Sequence, residues 1–279
     1  MNKTIIIKLF MALALVASVA CTGDKKGAAE PPHAQNLVTL KGDSTVYGLV
    51  CEGCTDSVLV LLPSDVSDPV KYDIIDAMQS HQVFGKMRIG DRVAIVIDPT
   101  DRKVANIVIN LDDLKGTWTY VVMPQLRDFA TMSKRMQRRM MQNMPDSVKQ
   151  TFLVPREYGF TLQRNNSATP VGFVQQGNAL EDESPVVYPS VPMYMEWHIW
   201  NGKLLLVRNV GHGGLSGHVR QQDVRIDTAS FVMLTPDTLV LRFNDHVQGY
   251  HSHANAMDVN KKARDIAKQQ AQKALDNAK

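Results

Sequence analysis

The side chains whose spacing could do chemistry are a cysteine pair, Cys51-Glu52-Gly53-Cys54, and two histidine pairs, His212/His218 and His251/His253. Two cysteines separated by two residues can form a redox disulfide or half of a zinc site. Redox enzymes with this spacing place the first cysteine at a helix N-terminus, which lowers its pKa. Here the pair lies between two strand-like runs with Gly53 at the turn. A structural zinc site needs four ligands, and no second cysteine pair exists. The pattern therefore favours a structural disulfide or a pair of buried thiols over metal binding or redox catalysis. His251 and His253 alternate as metal ligands on one strand face would, but a His-x-His at a strand end is more often solvated, and no metal is assigned. Gly211-His212-Gly213-Gly214 has the form of an oxyanion loop. No Gly-x-Ser-x-Gly nucleophile accompanies it, and the strand–helix alternation of a hydrolase is missing. No glycine loop with a lysine is present to cradle phosphate. The carboxylates Asp112-Asp113 and Glu181-Asp182-Glu183 sit in polar linkers and are expected to be solvated. The expectation is a protein without catalytic machinery or cofactor.

A third cysteine, Cys21, carries a different chemistry. Basic Met1-Asn2-Lys3-Thr4 precedes an apolar run from Ile5 to Ala20, broken only by Lys8 and Ser18. This is the export-signal pattern, and the run falls short of the roughly 20 apolar residues of a comfortable membrane span. It ends in Ser18-Val19-Ala20-Cys21, which resembles the lipobox of bacterial lipoproteins. That resemblance implies cleavage of a signal peptide over 1–20 and acylation of Cys21. Each buried acyl methylene adds about 0.8 kcal/mol of membrane affinity, so such an anchor would hold. Residues 21–36, small, polar and proline-containing, read as a flexible tether. No dense acidic run follows Cys21, so the expected location is the cell envelope, at the outer membrane, on its periplasmic face or at the cell surface. The formal net charge of +3 includes Lys3 and Lys8 of the leader. The mature chain is near neutral, which gives no basis for nucleic-acid binding.

The elements that must position these residues are mainly strands. Residues 37–113 form one β-rich region. Runs at 38–40, 44–50, 57–63, 91–98 and 103–110 are rich in β-branched residues and bounded by turn signals, and residues 72–82 suit one short helix. Five strands with a helix after the third resemble an OB-type small barrel. The aromatic platform and cationic stripe with which such barrels bind nucleic acid are missing, so a scaffold or protein-contact role is favoured. A second region, 114–253, begins at Gly116-Thr117-Trp118. It continues through strands at 158–165, 170–176, 194–200, 203–210, 222–229, 230–235 and 238–245. Phe160 and Leu162 oppose Thr161 and Gln163; Val224 and Ile226 oppose Arg225 and Asp227; Leu239, Leu241 and Phe243 oppose Arg242 and Asn244. Such alternation buries one face and wets the other. Asn201-Gly202 calls for a tight hairpin. About eight strands in this length suit closure into a barrel, which removes exposed edges.

Gly116-Thr117-Trp118 at the first strand of an eight-stranded meander resembles the lipocalin signature. The stretches from Trp197 through Leu206 and from Leu234 to Leu241 resemble lipocalin-like lipoproteins of Gram-negative bacteria. The likeness covers about 114–248 and implies a barrel that takes small apolar molecules, lipids among them, in its mouth, with Trp118 closing the opposite end. No ligand contacts carry over, because the family reads its ligands through variable loops.

The family pattern is interrupted by residues 126–144, a basic stretch expected as a helix ended by Pro145. Met132, Met136, Met140 and Met144 recur at four-residue spacing among Lys134, Arg135, Arg138 and Arg139. A helix packed on the barrel by its methionines is favoured. A lid over the mouth, made adaptable by methionine, and contact with an anionic membrane are the alternatives. Trp118, Met136, Met140 and Trp197 are the candidate ligand contacts. Residues 254–279 have good helix propensity but a thin apolar stripe. The expected function is an envelope lipoprotein that holds an apolar ligand in its barrel; the alternative is a structural or adaptor lipoprotein in an envelope protein complex.

Overall fold

A computed structural model of the chain describes residues 41–64, 68–127, 131–146, 153–173, 186–209 and 224–261, with 264, 265 and 269 beyond. All of these belong to one structural unit. The leader, the tether, Cys21 and the 38–40 strand expectation lie outside the described residues.

The protein is mainly β. Its first sheet comprises β1 (Thr45–Val50), β2 (Val58–Pro63), β3 (Val70–Asp73), β4 (Val83–Phe84), β5 (Arg92–Ile97) and β6 (Ala105–Asn110), with helix α1 (Ile75–Gln79) after β3. The strand order is β3-β2-β1-β5-β6-β4, antiparallel except for β4 beside β6. A parallel bridge from Asp73 to Val104, with the Asp73 N–H donating to Lys103 O at 2.7 Å, brings the β6 side round to β3. The six-stranded sheet thus curls until its β6 side meets β3, with a helix after the third strand. The third strand differs from the expectation. Residues 70–73 pair with β2 instead of opening the helix. The helix starts only where Asp73 Oδ1 accepts the Ile75 N–H at 2.9 Å, because the ladder to β2 claims the backbone before it. Leu59, Leu61, Val93, Ile95 and Val108 fill this barrel.

Helix α2 (Leu111–Leu114) leads into the second sheet. Its strands are β7 (Gly116–Val122), β9 (Arg156–Leu162), β10 (Ala168–Val171), β12 (Tyr194–Trp200), β13 (Lys203–Asn209), β14 (Val224–Leu234), β15 (Thr238–Arg242) and β16 (Val247–His253). All neighbours are antiparallel, in the order β10-β9-β7-β16-β15-β14-β13-β12. First strand pairs with last, through His251–Thr119 and His253–Thr117. The remaining seam, between β10 and β12, is bridged at Ser167–Glu196. There the Trp197 N–H donates to Asn166 O at 2.8 Å and Asn166 Nδ2 returns a bond to Trp197 O at 3.0 Å. The result is a nearly closed, eight-stranded, up-and-down barrel.

Two strand expectations change. Residues 222–229 and 230–235 are not two strands but one, β14, which bends at a bulge between Phe231 and Met233. The eighth place is taken by β16, which the sequence presents as a histidine loop. The face assignment of β14 also reverses. Ile226 is exposed, while Ala229 and Phe231 are buried with Asp227 on their side of the strand. The barrel opens into a largely polar cleft at that end, where Asp227 is paired with Arg208.

The insertion begins with β8 (Gln125–Leu126) on β11 (Val186–Val187). Helix α3 spans Lys134–Asn143 and is shorter than expected. The Ser133 side chain caps it by accepting the Met136 N–H at 3.4 Å, and Met144, preceding Pro145, is extended, as a residue before proline must be. None of its residues is buried, and Met136 is 55% exposed. Met132, Met140 and Met144 are half-buried, so the methionine face is only partly covered. Residues 256–260 of the expected C-terminal helix are turns. Val259 is buried, and Asn260 bonds Glu157 N at 2.7 Å and Gly172 O at 2.7 Å. This pins the tail to the outside of the barrel wall, and most of the tail beyond lies outside the described residues.

The two barrels share one core. Phe84, Ala94, Ile109, Leu111 and Leu114 from the front pack with Trp118, Leu204, Leu206 and Phe231 of the second barrel, and the Phe84 and Phe231 ring centroids stand 5.3 Å apart. The β12–β13 hairpin tip enters the junction. Asn201 and Gly202 take φ of 47° and 75°, as a tight two-residue turn requires. Asn201 Oδ1 accepts the Ser44 N–H at 2.9 Å. The front unit therefore seals one end of the second barrel, and only the other end can open.

Candidate functional site at the barrel mouth

Strand directions place the C-terminal ends of β7, β13 and β15 and the N-terminal ends of β12, β14 and β16 at the unsealed end. Below them the interior is filled by its own side chains, among them Trp118, Phe160, Leu206, Leu239 and Leu241. The hollow therefore does not run the length of the barrel. A cleft of about 430 Å³ opens at the mouth, lined by Tyr120, Tyr194, Arg208, Phe243 and Tyr250, by residues 226–228 of β14, and by the rims at 190–192, 244–246 and 248.

Its floor is aromatic. Phe160 lies beneath, with its ring centroid 5.1 Å from that of Tyr250 and 5.6 Å from that of Tyr194. Tyr120 meets Tyr250 edge-on at 5.5 Å. On this floor sits a small polar network. Arg208 Nε pairs with Asp227 Oδ2 at 2.8 Å, and the Tyr194 hydroxyl donates to the same oxygen at 3.1 Å. Burial, then the negative charge of Asp227, pushes the Tyr194 phenol far above its ordinary pKa. Burial does the same for Tyr250 and, less strongly, for Tyr120. All three stay neutral hydroxyls at any physiological pH. The Phe243 ring stacks on His246 at 5.0 Å on the rim. Across the mouth Arg156 stacks on Tyr188 at 3.9 Å. The cleft thus offers an aromatic floor, neutral donors, one ion pair and a largely polar rim, a lining suited to an amphiphile more than to a bare hydrocarbon.

The candidates from sequence lie elsewhere. Trp118 is buried at the sealed end, its indole N–H donating to Leu114 O at 2.8 Å. Trp197 is buried at the β10–β12 seam, its indole N–H donating to Gln163 O at 2.9 Å. Met136 and Met140 ride on α3, which leaves and rejoins the barrel on the mouth side, and neither lines the cleft. The residues that do line it were hidden by their types. Tyr194 and Tyr250 look like ordinary strand aromatics, and Arg208 and Asp227 look like the wet face of alternating strands.

Cys51 and Cys54 are unbridged thiols. The Cys54 sulfur is turned to the backbone, where it accepts the Val60 N–H at 3.2 Å, while the Cys51 sulfur lies against Leu49 O at 3.7 Å. His253 pairs with Glu157 at 2.7 Å, and no cluster of three potential metal ligands occurs among the described residues. His212, His218, Gly211–Gly214 and the 181–183 carboxylates lie outside the described residues. Asp112 and Asp113 are not free in solvent as expected. Asp113 Oδ2 accepts the Lys86 N–H at 2.7 Å, Asp113 Oδ1 meets Arg88 Nη1 at 2.9 Å, and Asp112 Oδ2 accepts the Arg92 N–H at 2.6 Å. Asn110, by accepting from Asp112 and Asp113 backbone N–H groups, turns the chain so that both carboxylates reach back to the front barrel.

The fold and cleft define a mainly β protein with an eight-stranded barrel open at one end. No protein family matches the chain, and no curated protein does. Among solved structures it is similar to a lipocalin-like protein from Bacteroides thetaiotaomicron VPI-5482, at 15% identity over 50% of this chain and 96% of that one, with a TM-score of 0.26. A likeness that slight carries no functional argument.

Proposed function

We propose that this chain is a lipid-anchored envelope lipoprotein that binds a small amphiphile in the mouth of its second barrel. The observation that carries the reading is the cleft itself. Its volume of about 430 Å³ falls within the range of roughly 300–1,000 Å³ usual for small-molecule sites, and its aromatic floor of Phe160, Tyr194 and Tyr250 lies beneath a largely polar rim. Because Phe160, Leu239 and Leu241 fill the barrel below, the ligand is short and shallow rather than a fully buried acyl chain. Exposed apolar side chains, Val121, Met123, Val187, Met193, Ile226 and Val247, cluster at the same end. A barrel tethered through Cys21 would meet an amphiphile at a membrane surface, where such side chains are favourable.

The test is native mass spectrometry of gently purified protein, alongside Gln248→Trp, which fills the cleft from its rim without touching the core. A bound small molecule in the wild type, lost in the variant, supports the reading. An empty wild type, or a ligand that Gln248→Trp retains, refutes it. Separately, Cys21→Ser should release the protein from the membrane fraction, and unchanged fractionation would rule out the anchor. One observation favours the adaptor reading as a second. Helix α3 carries four cations and exposed methionines yet buries none of its residues, and in-cell cross-linking through α3 to one protein would support it.

A further inference from the structure

A second cavity, of about 140 Å³, lies at the junction of the two barrels, at the end opposite the mouth. The front barrel and α2 contribute Arg92, Asp112 and Lys115, and the second barrel contributes Arg164, Asn166 and His198. Tyr47, Trp197 and Ile199 form an apolar backing. Three permanent cations thus face one carboxylate. That carboxylate is already committed, since Asp112 accepts the Arg92 backbone N–H at 2.6 Å and pairs with the Lys115 ammonium. Neither the Arg92 nor the Arg164 guanidinium lies within ion-pair distance of a carboxylate among the described residues, although the Arg164 charge reaches Asp112. His198 is tied at 3.4 Å to the buried Glu196. A pocket with an excess of one charge sign and low-dielectric walls concentrates the opposite ion.

We infer that this junction pocket is a binding site for a small oxyanion, of the phosphate class, gripped between Arg92 and Arg164 with Lys115 beside them. Guanidinium groups present fixed forks of N–H donors matched to phosphate oxygens, and the volume suits one tetrahedral oxyanion with accompanying water. The site is split across the chain. Arg92 and Lys115 belong to the front unit and its connection, Arg164 to the turn between β9 and β10. An anion held by both sides would clamp the two barrels together, so binding stabilises the fold by mass action.

The test uses the full mature protein with inorganic phosphate, and in a second arm glycerol phosphate, by isothermal titration calorimetry and thermal melting. Sodium chloride at matched ionic strength is the control. The expected result is saturable binding with a raised melting temperature that chloride does not reproduce. Tighter binding of the monoester would assign the site to the phosphate group of a larger molecule; equal binding would assign it to free phosphate. Arg164→Gln, at an exposed position that tolerates change, should weaken binding by about tenfold or more, as loss of one charge-assisted hydrogen bond does. Asp112→Asn keeps an acceptor for the Arg92 N–H while removing the competing charge, and should tighten binding. Absence of saturable binding at millimolar phosphate, or binding that both variants leave unchanged, overturns the inference. Gln248→Trp at the mouth should not affect it.

Discussion

Gly159→Ala on β9 should be among the most damaging single-methyl additions available in this protein. Gly159 pairs with Thr119 in a seven-pair ladder between β7 and β9. An added Cβ would lie 1.8 Å from Trp118 O and 2.8 Å from Thr119 Cα. Both are backbone atoms, so no rotamer can yield. A carbon normally stands about 3.3–3.6 Å from such an oxygen, so the strands must separate locally by roughly 1.5 Å. Ladder bonds on either side weaken, each contributing about 0.5–1.5 kcal/mol. Trp118, which is 1% exposed, is pushed into a filled interior at an overpacking cost of about 1–3 kcal/mol. The total is about 3–5 kcal/mol, or a melting temperature lower by roughly 6–20 °C for a chain of this size. Gly249→Ala on β16, the other neighbour of β7, is the control. It meets nothing within 4 Å and should be neutral or stabilising by up to about 1 kcal/mol through the unfolded state. Urea titration followed by tryptophan fluorescence and far-ultraviolet circular dichroism reads both. The reasoning fails if the two variants melt alike, or if Gly159→Ala melts within about 2 °C of the wild type.

Trp118→Phe removes the indole N–H that Leu114 O accepts and some buried volume; a loss of about 2–3 kcal/mol is expected by urea titration, with a fully native value counting against a packed seal at that end. The Asp112 carboxyl gives a pH prediction. Burial raises its pKa, but the Arg92 N–H, Lys115 and Arg164 together outweigh this and hold it below the ordinary carboxylate range. A depressed folded pKa means that its contribution is present above the unfolded value and is lost as pH falls through the folded one. Melting temperature should therefore decline below about pH 4, and Asp112→Asn should flatten part of that decline; identical acid profiles would show that the carboxylate does not feel its cations.

Much of the second barrel was legible in the sequence because its strands alternate strongly. Phe160 and Leu162, then Leu239 and Leu241, have the period and the inward face expected, and Asn201-Gly202 marks the hairpin it forms. The closing strand β16 was not legible. Val247-Gln-Gly-Tyr-His-Ser-His has one large apolar side chain facing in, Tyr250, and its partner β7 lies more than a hundred residues earlier, so no local signal announces the pairing. The mouth cleft was hidden for a related reason. Alternation at 224–227 correctly separates two kinds of face but does not say which faces the lumen. There the cleft is largely polar, Asp227 bonds within it to Tyr194 and Arg208, and Ile226 is exposed at its edge. Conversely Asp112-Asp113, polar neighbours at a domain boundary, look like linker residues until the fold brings Arg92, Lys86 and Arg88 around them.

The amino-acid sequence alone determined where much of the chain is strand-forming and where it must turn, because propensity, period and turn chemistry act over a few residues. Tertiary structure decided which strand closes the barrel, which of its ends is sealed by the front unit and which side chains surround each cavity. Those outcomes depend on contacts between distant segments, and the burial that decides them exists only once the sheets have curled and met.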